Sequence, residues 1–343
     1  ASIAEGYFVF PKLEGPISNR MKFNGKEVIT WSVNDYLGLA NNPEVREIDS
    51  EAARKFGSAH PVGARMMSGH TDLHEKLEKI LADLVNKESS YVLNFGYQGI
   101  LSTIDTLVSK NDVIVYDSDS HACIIDGVRL HLGKRFTYKH NDIESLEKNL
   151  IRASKVATNN DGGILVISEG VFGMRGEQGK LKEIVKLKEK YKFRFLVDDA
   201  HGFGTLGKNG SGTGDEQAIQ DEIDVYFATF AKSVASTGAF IAGSKEVIDF
   251  LKYNMRSQMF AKSLQSVLVY GIIKRIEMMK SRPEFKKRLW DNVFSLQKGL
   301  KNRGFDIGNH FCEYAGFDYS KFEDVYPDKG TQIFFLKAYL EEE

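Results

Sequence analysis

Lys232 follows directly on a short apolar, β-branched stretch, Val225–Thr229 (VYFAT), within Phe230-Ala231-Lys232-Ser233. Most lysines are solvated, so one placed after a buried strand stands out. In a partly desolvated site its amine loses its proton more readily and can attack a carbonyl carbon. A lysine snorkelling from a strand end has the same sequence appearance. A second such stretch, Phe193–Val197, ends in Asp198-Asp199-Ala200-His201-Gly202. A carboxylate there can be structural, capping the next turn. Asp-x-x-His can also be half of a metal site, but no second cluster of His and carboxylates at ligand spacing accompanies it. A third stretch, Asp112–Tyr116, runs into Asp117-Ser118-Asp119-Ser120-His121. The imidazole there can cap, pack, or lie flat against a planar group. Further upstream, Asn94-Phe95-Gly96-Tyr97-Gln98-Gly99 precedes a helical pattern, Ile100–Val108. A glycine turn at a helix N-terminus offers free N–H groups and a favourable dipole to a phosphate, though such turns are common.

The elements that must position these groups alternate along the chain. Asp112–Tyr116, Gly163–Ser168, Phe193–Val197 and Val225–Thr229 read as buried strands. Between them, His74–Leu84, Ile143–Ile151 and Leu181–Tyr191 carry apolar residues at helical spacing. Strand–helix alternation predicts an α/β fold, a mainly parallel central sheet covered by helices on both faces. Ligands bind such sheets beyond the carboxyl ends of the strands, which is where all four loops lie. After Lys245 the pattern turns helical, over Glu246–Asn254, Gln265–Met279 and Glu284–Lys301. The last 35 or so residues carry aromatic residues and an acidic end, with one strand-like run at Gln332–Leu336. We expect an N-terminal segment (1–40), a large domain (41–245) and a helical connection with a reduced or divergent C-terminal domain (246–343).

Bulk composition narrows the function classes. The chain has 343 residues with a formal net charge of -1, so no general nucleic-acid or anionic-membrane surface is expected. Two cysteines, Cys123 and Cys312, build neither a disulfide framework nor a zinc site. They fit a reducing compartment, and a cytoplasmic location is expected. Ala1–Pro11 has no basic stretch leading into an apolar run, so no signal peptide is expected. No segment reaches the roughly 18 apolar residues of a membrane span.

Taken in order, Gly96-Tyr97, His121, Asp198-x-x-His201 and Thr229-x-x-Lys232 resemble the fold-type I enzymes that use pyridoxal 5'-phosphate (PLP). More narrowly they resemble the α-oxoamine synthases, the family of serine palmitoyltransferase, 8-amino-7-oxononanoate synthase, 2-amino-3-ketobutyrate CoA ligase and 5-aminolevulinate synthase. Three further segments carry the likeness. They are Asn34-Asp35-Tyr36-Leu37-Gly38-Leu39, Gly63-Ala64-Arg65-Met66-Met67-Ser68-Gly69 with His74, and His121-Ala122-Cys123-Ile124-Ile125-Asp126-Gly127. The resemblance spans roughly residues 30–305.

The resemblance implies a PLP-dependent acyltransferase. Lys232 would hold PLP as a Schiff base and later act as base. Asp198 would pair with the pyridine nitrogen, His201 would hydrogen-bond the phenolic oxygen, and His121 would stack on the ring. Gly96, Tyr97 and Thr229 would bind the phosphate. Asn34, Arg65 and His74 would bind substrate. The reaction implied joins an amino acid to an acyl-CoA with loss of CO₂, at a homodimer interface. Thr229–Ser236 and Arg256–Phe260 look most like serine palmitoyltransferase, which would use serine and a long-chain acyl-CoA. Ile124–Leu130 looks equally like the 2-amino-3-ketobutyrate ligase, and 8-amino-7-oxononanoate synthase activity is a further alternative. Departures are Ala231 for a hydroxyl residue, Gly173 for a serine, and Ala261 after Phe260. No arginine follows Arg303. The family uses a C-terminal arginine to clamp the substrate carboxylate, so an inactive PLP-binding homologue is the rival reading.

Overall fold

The computed structural model describes residues 11–302. Cys312, the strand-like run Gln332–Leu336 and the expected C-terminal domain beyond residue 302 lie outside the described residues. The chain opens with a small antiparallel sheet of β1 (Leu13–Glu14), β2 (Arg20–Phe23) and β3 (Lys26–Ile29). Next comes helix α1 (Pro43–Phe56), whose start is set by chemistry. Asn42 Oδ1 accepts from Glu44 N at 2.9 Å, and Pro43 supplies a first-turn residue with no N–H to lose.

The central sheet has seven strands. In chain order they are β4 (Ser89–Leu93), β5 (Val113–Asp117), β6 (Lys134–Tyr138), β7 (Ile164–Glu169), β10 (Arg194–Asp198), β11 (Val225–Thr229) and β12 (Ala239–Gly243). The two short strands β8 (Val171–Phe172) and β9 (Glu177–Gln178) form a separate hairpin. In space the sheet runs β4-β12-β11-β10-β7-β5-β6. Only β12 runs against its neighbours, so six strands point the same way.

Helices α2 (Asp72–Leu84), α3 (Gly96–Leu107), α4 (Ala122–Leu130) and α5 (Ile143–Asn160) link the strands. Two apolar layers result. One holds Val92, Val115, Val166, Val197 and Phe240; the other holds Leu93, Ile114, Ile167, Leu196 and Ile241. Alternate residues of one strand thus enter opposite layers, as a sheet covered on both faces requires. Every residue of β7, β11 and β12 is buried.

The expected strands appear within a residue of their predicted positions, and the expected helical stretches are helical. Leu181–Tyr191 differs: its α-helix ends at Lys186 and a 3₁₀ turn, Leu187–Glu189, comes next. α3 begins a turn earlier than the apolar pattern suggests, at Gly96 itself. No helix among the described residues is long and apolar enough to cross a membrane.

Candidate active site

Parallel strands bring their carboxyl ends to one edge of the sheet, and the titratable groups collect there. Asp117 ends β5, Glu169 ends β7, Asp198 ends β10 and Thr229 ends β11. Asp198 and Glu169 are register partners on adjacent strands, each 5% exposed. Burial pushes both carboxyls up from the ordinary carboxylate range, and their mutual repulsion pushes Glu169 further. Lys232, just past β11, offsets part of this. Burial in turn lowers the Lys232 ammonium pKa, with Asp198 and Glu169 opposing that shift.

Lys232 Nζ lies 2.7 Å from His201 Nε2. Burial holds His201 down at about 3, so its ring is neutral and can accept from the lysine. On the far side of that ring, Tyr36 OH lies 2.8 Å from Nδ1. Burial pushes the Tyr36 phenol up to about 12, so it stays protonated. The sequence Asp198-Asp199 divides its labour by strand alternation. Asp199 turns inward, accepting from Thr213 N (2.7 Å), Thr213 Oγ1 (2.6 Å) and Tyr226 OH (2.9 Å), and so ties down the loop after β10.

His121 Nδ1 accepts from Cys123 N at 3.3 Å and caps α4, while its main-chain N–H donates to Glu169 Oε1 at 2.5 Å. His121 as a residue is exposed. Gly96 opens α3 with no side-chain cap on that helix end. A Cβ on Gly96 would come 3.0 Å from Thr229 Oγ1, so any larger residue there would press the two elements slightly apart. Tyr97 OH donates to Asp126 Oδ2. The β8–β9 hairpin closes the site: a Cβ on Gly173 would stand 2.2 Å from His201 Nε2.

The structure therefore brings together Lys232, His201 and Asp198 with Glu169 and Tyr36. Gly96 and Thr229 meet beside the α3 N-terminus. Arg65 and His74 make their hydrogen bonds elsewhere. Arg65 pairs with Glu78, bonds His70 and lies over the Tyr91 ring, 4.5 Å from its centroid. His74 is fully buried between Thr71 Oγ1 (2.8 Å) and the Leu264 carbonyl (3.0 Å). Burial lowers it to about 4, so it is a neutral packing residue. Asn34 is exposed. Sequence reasoning passes over Glu169 and Tyr36 as site residues. Tyr36 stands inside a quoted motif, and a buried acid closing an apolar strand is the signal that marks Glu169.

These residues fit PLP on two observations. Asp198 is a buried carboxylate whose one hydrogen-bond donor among the described residues is the Ala200 amide, at 3.1 Å. A ring N–H⁺ would give it the partner that burial demands. The uncapped α3 N-terminus beside Thr229 suits a phosphate.

The family model for aminotransferase class I and II matches residues 26–311. The chain is 70% identical over 306 residues to a cysteate-C-fatty acyltransferase of Capnocytophaga ochracea, covering 89% of this chain and 73% of that one. It is 37% identical over 302 residues to a serine palmitoyltransferase of Sphingobacterium spiritivorum, covering 88% and 74%. A serine palmitoyltransferase solved with PLP as its internal aldimine superposes with a TM-score of 0.79 at 32% identity, covering 86% of this chain and 73% of that one. The chain belongs to the aminotransferase class I and II family, PLP enzymes of fold type I, and within it to the α-oxoamine synthases. It is a PLP-dependent acyltransferase.

The Tyr36–His201 contact leads to a measurable outcome. Tyr36→Phe removes one hydrogen bond from Nδ1 and frees the ring to turn. We expect kcat to fall about tenfold, the scale of one such bond to a working group. PLP affinity, set mainly by other contacts, should hold. Steady-state kinetics alongside a PLP titration separate the two; unchanged kcat would remove Tyr36 from the site.

Proposed function

We propose that this chain joins an amino acid with an acidic side group, cysteate, to a fatty acyl-CoA, with release of CO₂ and CoA. The observation that carries the chemistry is Lys232 Nζ at 2.7 Å from His201 Nε2, in a site whose carboxylates are Asp198 and Glu169. The amino acid rests on the 70% identity to an enzyme named for cysteate, against 37% to one named for serine. Serine with a long-chain acyl-CoA, the sequence expectation, is the second reading.

In this reading Lys232 holds PLP covalently, and desolvation of its amine favours the unprotonated, nucleophilic form. PLP, when bound, supplies an electron sink for charge developing at the amino acid α-carbon. Released from the cofactor, Lys232 Nζ would be the base that takes the α-proton. Asp198 stabilises positive charge at the ring nitrogen. His201 keeps Nε2 available to the phenolic oxygen, and Tyr36 holds the other ring nitrogen. Gly96 and Tyr97 amides with the Thr229 hydroxyl would hold the phosphate, and His121 would lie against the ring. The α-carbon then bonds to the thioester carbonyl carbon. The C–S bond breaks and CoA leaves as thiol after taking a proton from solvent; the carboxylate departs as CO₂, and the electron pair it leaves on the α-carbon takes back the proton held on Lys232 Nζ.

The division at residues 40 and 245 belongs to this reading, as does a homodimer with the site at its interface. Supporting the dimer, Phe95, Tyr97 and Met174 are large apolar side chains left exposed around the site. The deciding experiment is acyl-CoA-dependent CoA release with cysteate, serine, glycine and alanine in parallel. Cysteate should give the highest kcat/KM. Preference for serine would select the second reading, and no release with any of them would leave a PLP-binding protein without this activity.

A further inference from the structure

We propose that Cys123 is a positioning residue, whose thiol fixes the tautomer and orientation of the His121 ring through a hydrogen bond to Nδ1. The inference rests on the reading above, in which His121 lies against PLP, and names what holds that ring still.

His121 is the N-cap of α4, and it caps with its own imidazole. Two groups of Cys123 converge on Nδ1: the backbone nitrogen at 3.3 Å and Sγ at 2.8 Å. A backbone N–H can only donate, so Nδ1 is the acceptor and the ring proton sits on Nε2. The thiol facing the same lone pair must then donate as well. Cys123 is 4% exposed, within the apolar layer that includes Ile100, Ile124 and Val128. Burial, with the Asp198 and Glu169 charges nearby, pushes the thiol up, so the S–H that donates is retained.

The main chain has a second anchor in Glu169 Oε1, which accepts the His121 N–H. One residue is thus pinned at its backbone by a strand-end acid and at its ring by a helix-borne thiol. His121 as a residue is exposed, which leaves it accessible to a ligand while these two contacts hold it in one orientation. Sulfur adds fit to function here. A thiol is a weak donor but packs as a small hydrophobe, so the inner side of the contact can be buried without an unpaired hydroxyl.

The test uses ¹⁵N NMR of the imidazoles in the PLP-free protein, with a PLP titration on the same samples. The wild type should show His121 as a single Nε2–H tautomer. Cys123→Ala should shift both ring nitrogens toward averaged values and weaken PLP about fivefold, the scale of one lost hydrogen bond. Cys123→Ser, which can still donate, should restore both. Should the alanine variant fail to fold, Cys123→Val fills the space without a donor and repeats the comparison. Unchanged His121 shifts in a folded donor-free variant, or no rescue by serine, overturns the proposal. A wild type that shows the tautomer but ignores PLP would overturn the cofactor reading instead, because the NMR arm needs no PLP.

Discussion

Lys232→Ala should lower acyl-CoA-dependent CoA release by at least about a thousandfold, because one substitution removes two functions. In the proposed mechanism the side chain would be both the attachment point and the group that takes the α-proton, and a positioned base alone is worth roughly 10²–10⁴ in rate. Binding should be far less affected. The α3 N-terminus and Thr229, proposed to bind the phosphate, and the Asp198 carboxylate remain in place. The variant should therefore still take up PLP, but release it on dialysis and resist borohydride trapping. His201 loses its 2.7 Å partner at Nε2, yet Tyr36 still holds Nδ1, so the ring should stay in place. Trapping of radiolabel at position 232 in the wild type, set against none in the variant, checks the assignment. Near-normal turnover in Lys232→Ala would place the chemistry on another amine.

Asp198→Asn is the second large expectation, and its effects on activity and stability have opposite signs. The amide keeps the shape but loses the charge that would meet a protonated ring nitrogen. Loss of one preorganised electrostatic partner costs about 10²–10³ in kcat. The PLP-free protein should respond the other way. Asp198 and Glu169 are buried side by side, and burial raises both above their ordinary values, with repulsion adding to it at Glu169. A carboxyl with a raised folded pKa contributes stability below its unfolded pKa and loses it as pH rises through the folded value. PLP-free wild type should therefore lose stability as pH climbs above the ordinary carboxylate range. Asp198→Asn should flatten that slope and be the more stable of the two near neutral pH. Denaturant titrations at several pH values read this directly. A steeper slope in the variant would mean that the two acids are not repelling each other, and full activity would remove Asp198 from the site.

The parts of the site that stand out in the sequence are those where a chemically distinctive residue comes after an apolar strand. Lys232 after VYFAT and Asp198 after FRFLV are of this kind. The strand is read from its β-branched run, and the loop from the change of residue type at its end. Tyr36 is different. It lies in a stretch without regular structure, and its contact with His201 spans 165 residues, which no local pattern encodes. Glu169 is lost at a boundary. The apolar run reads as ending at Ser168, so the acid that extends the strand falls to a loop. β12 (AFIAG) is too short for periodicity to show, and its reversed direction depends on pairing with β4 and β11. Arg65 and His74 show the converse. Their motif is legible, but the ion pair with Glu78 and the complete burial of the imidazole come from packing.

The reversed direction of β12 also decides where the chain can change length. Phe230 N donates to Gly238 O at 2.9 Å, and Ser236 N to Phe230 O at 2.9 Å, so Lys232 rides on a hairpin closed on itself. One residue inserted or deleted within β11 or β12 would slip the ladder by one and carry its side chains to the opposite layer. Helical crossovers elsewhere in the sheet can absorb such a change at their ends. Natural length variation in proteins built on this plan should therefore avoid residues 225–243 and gather in the loops that join helices to the outer strands.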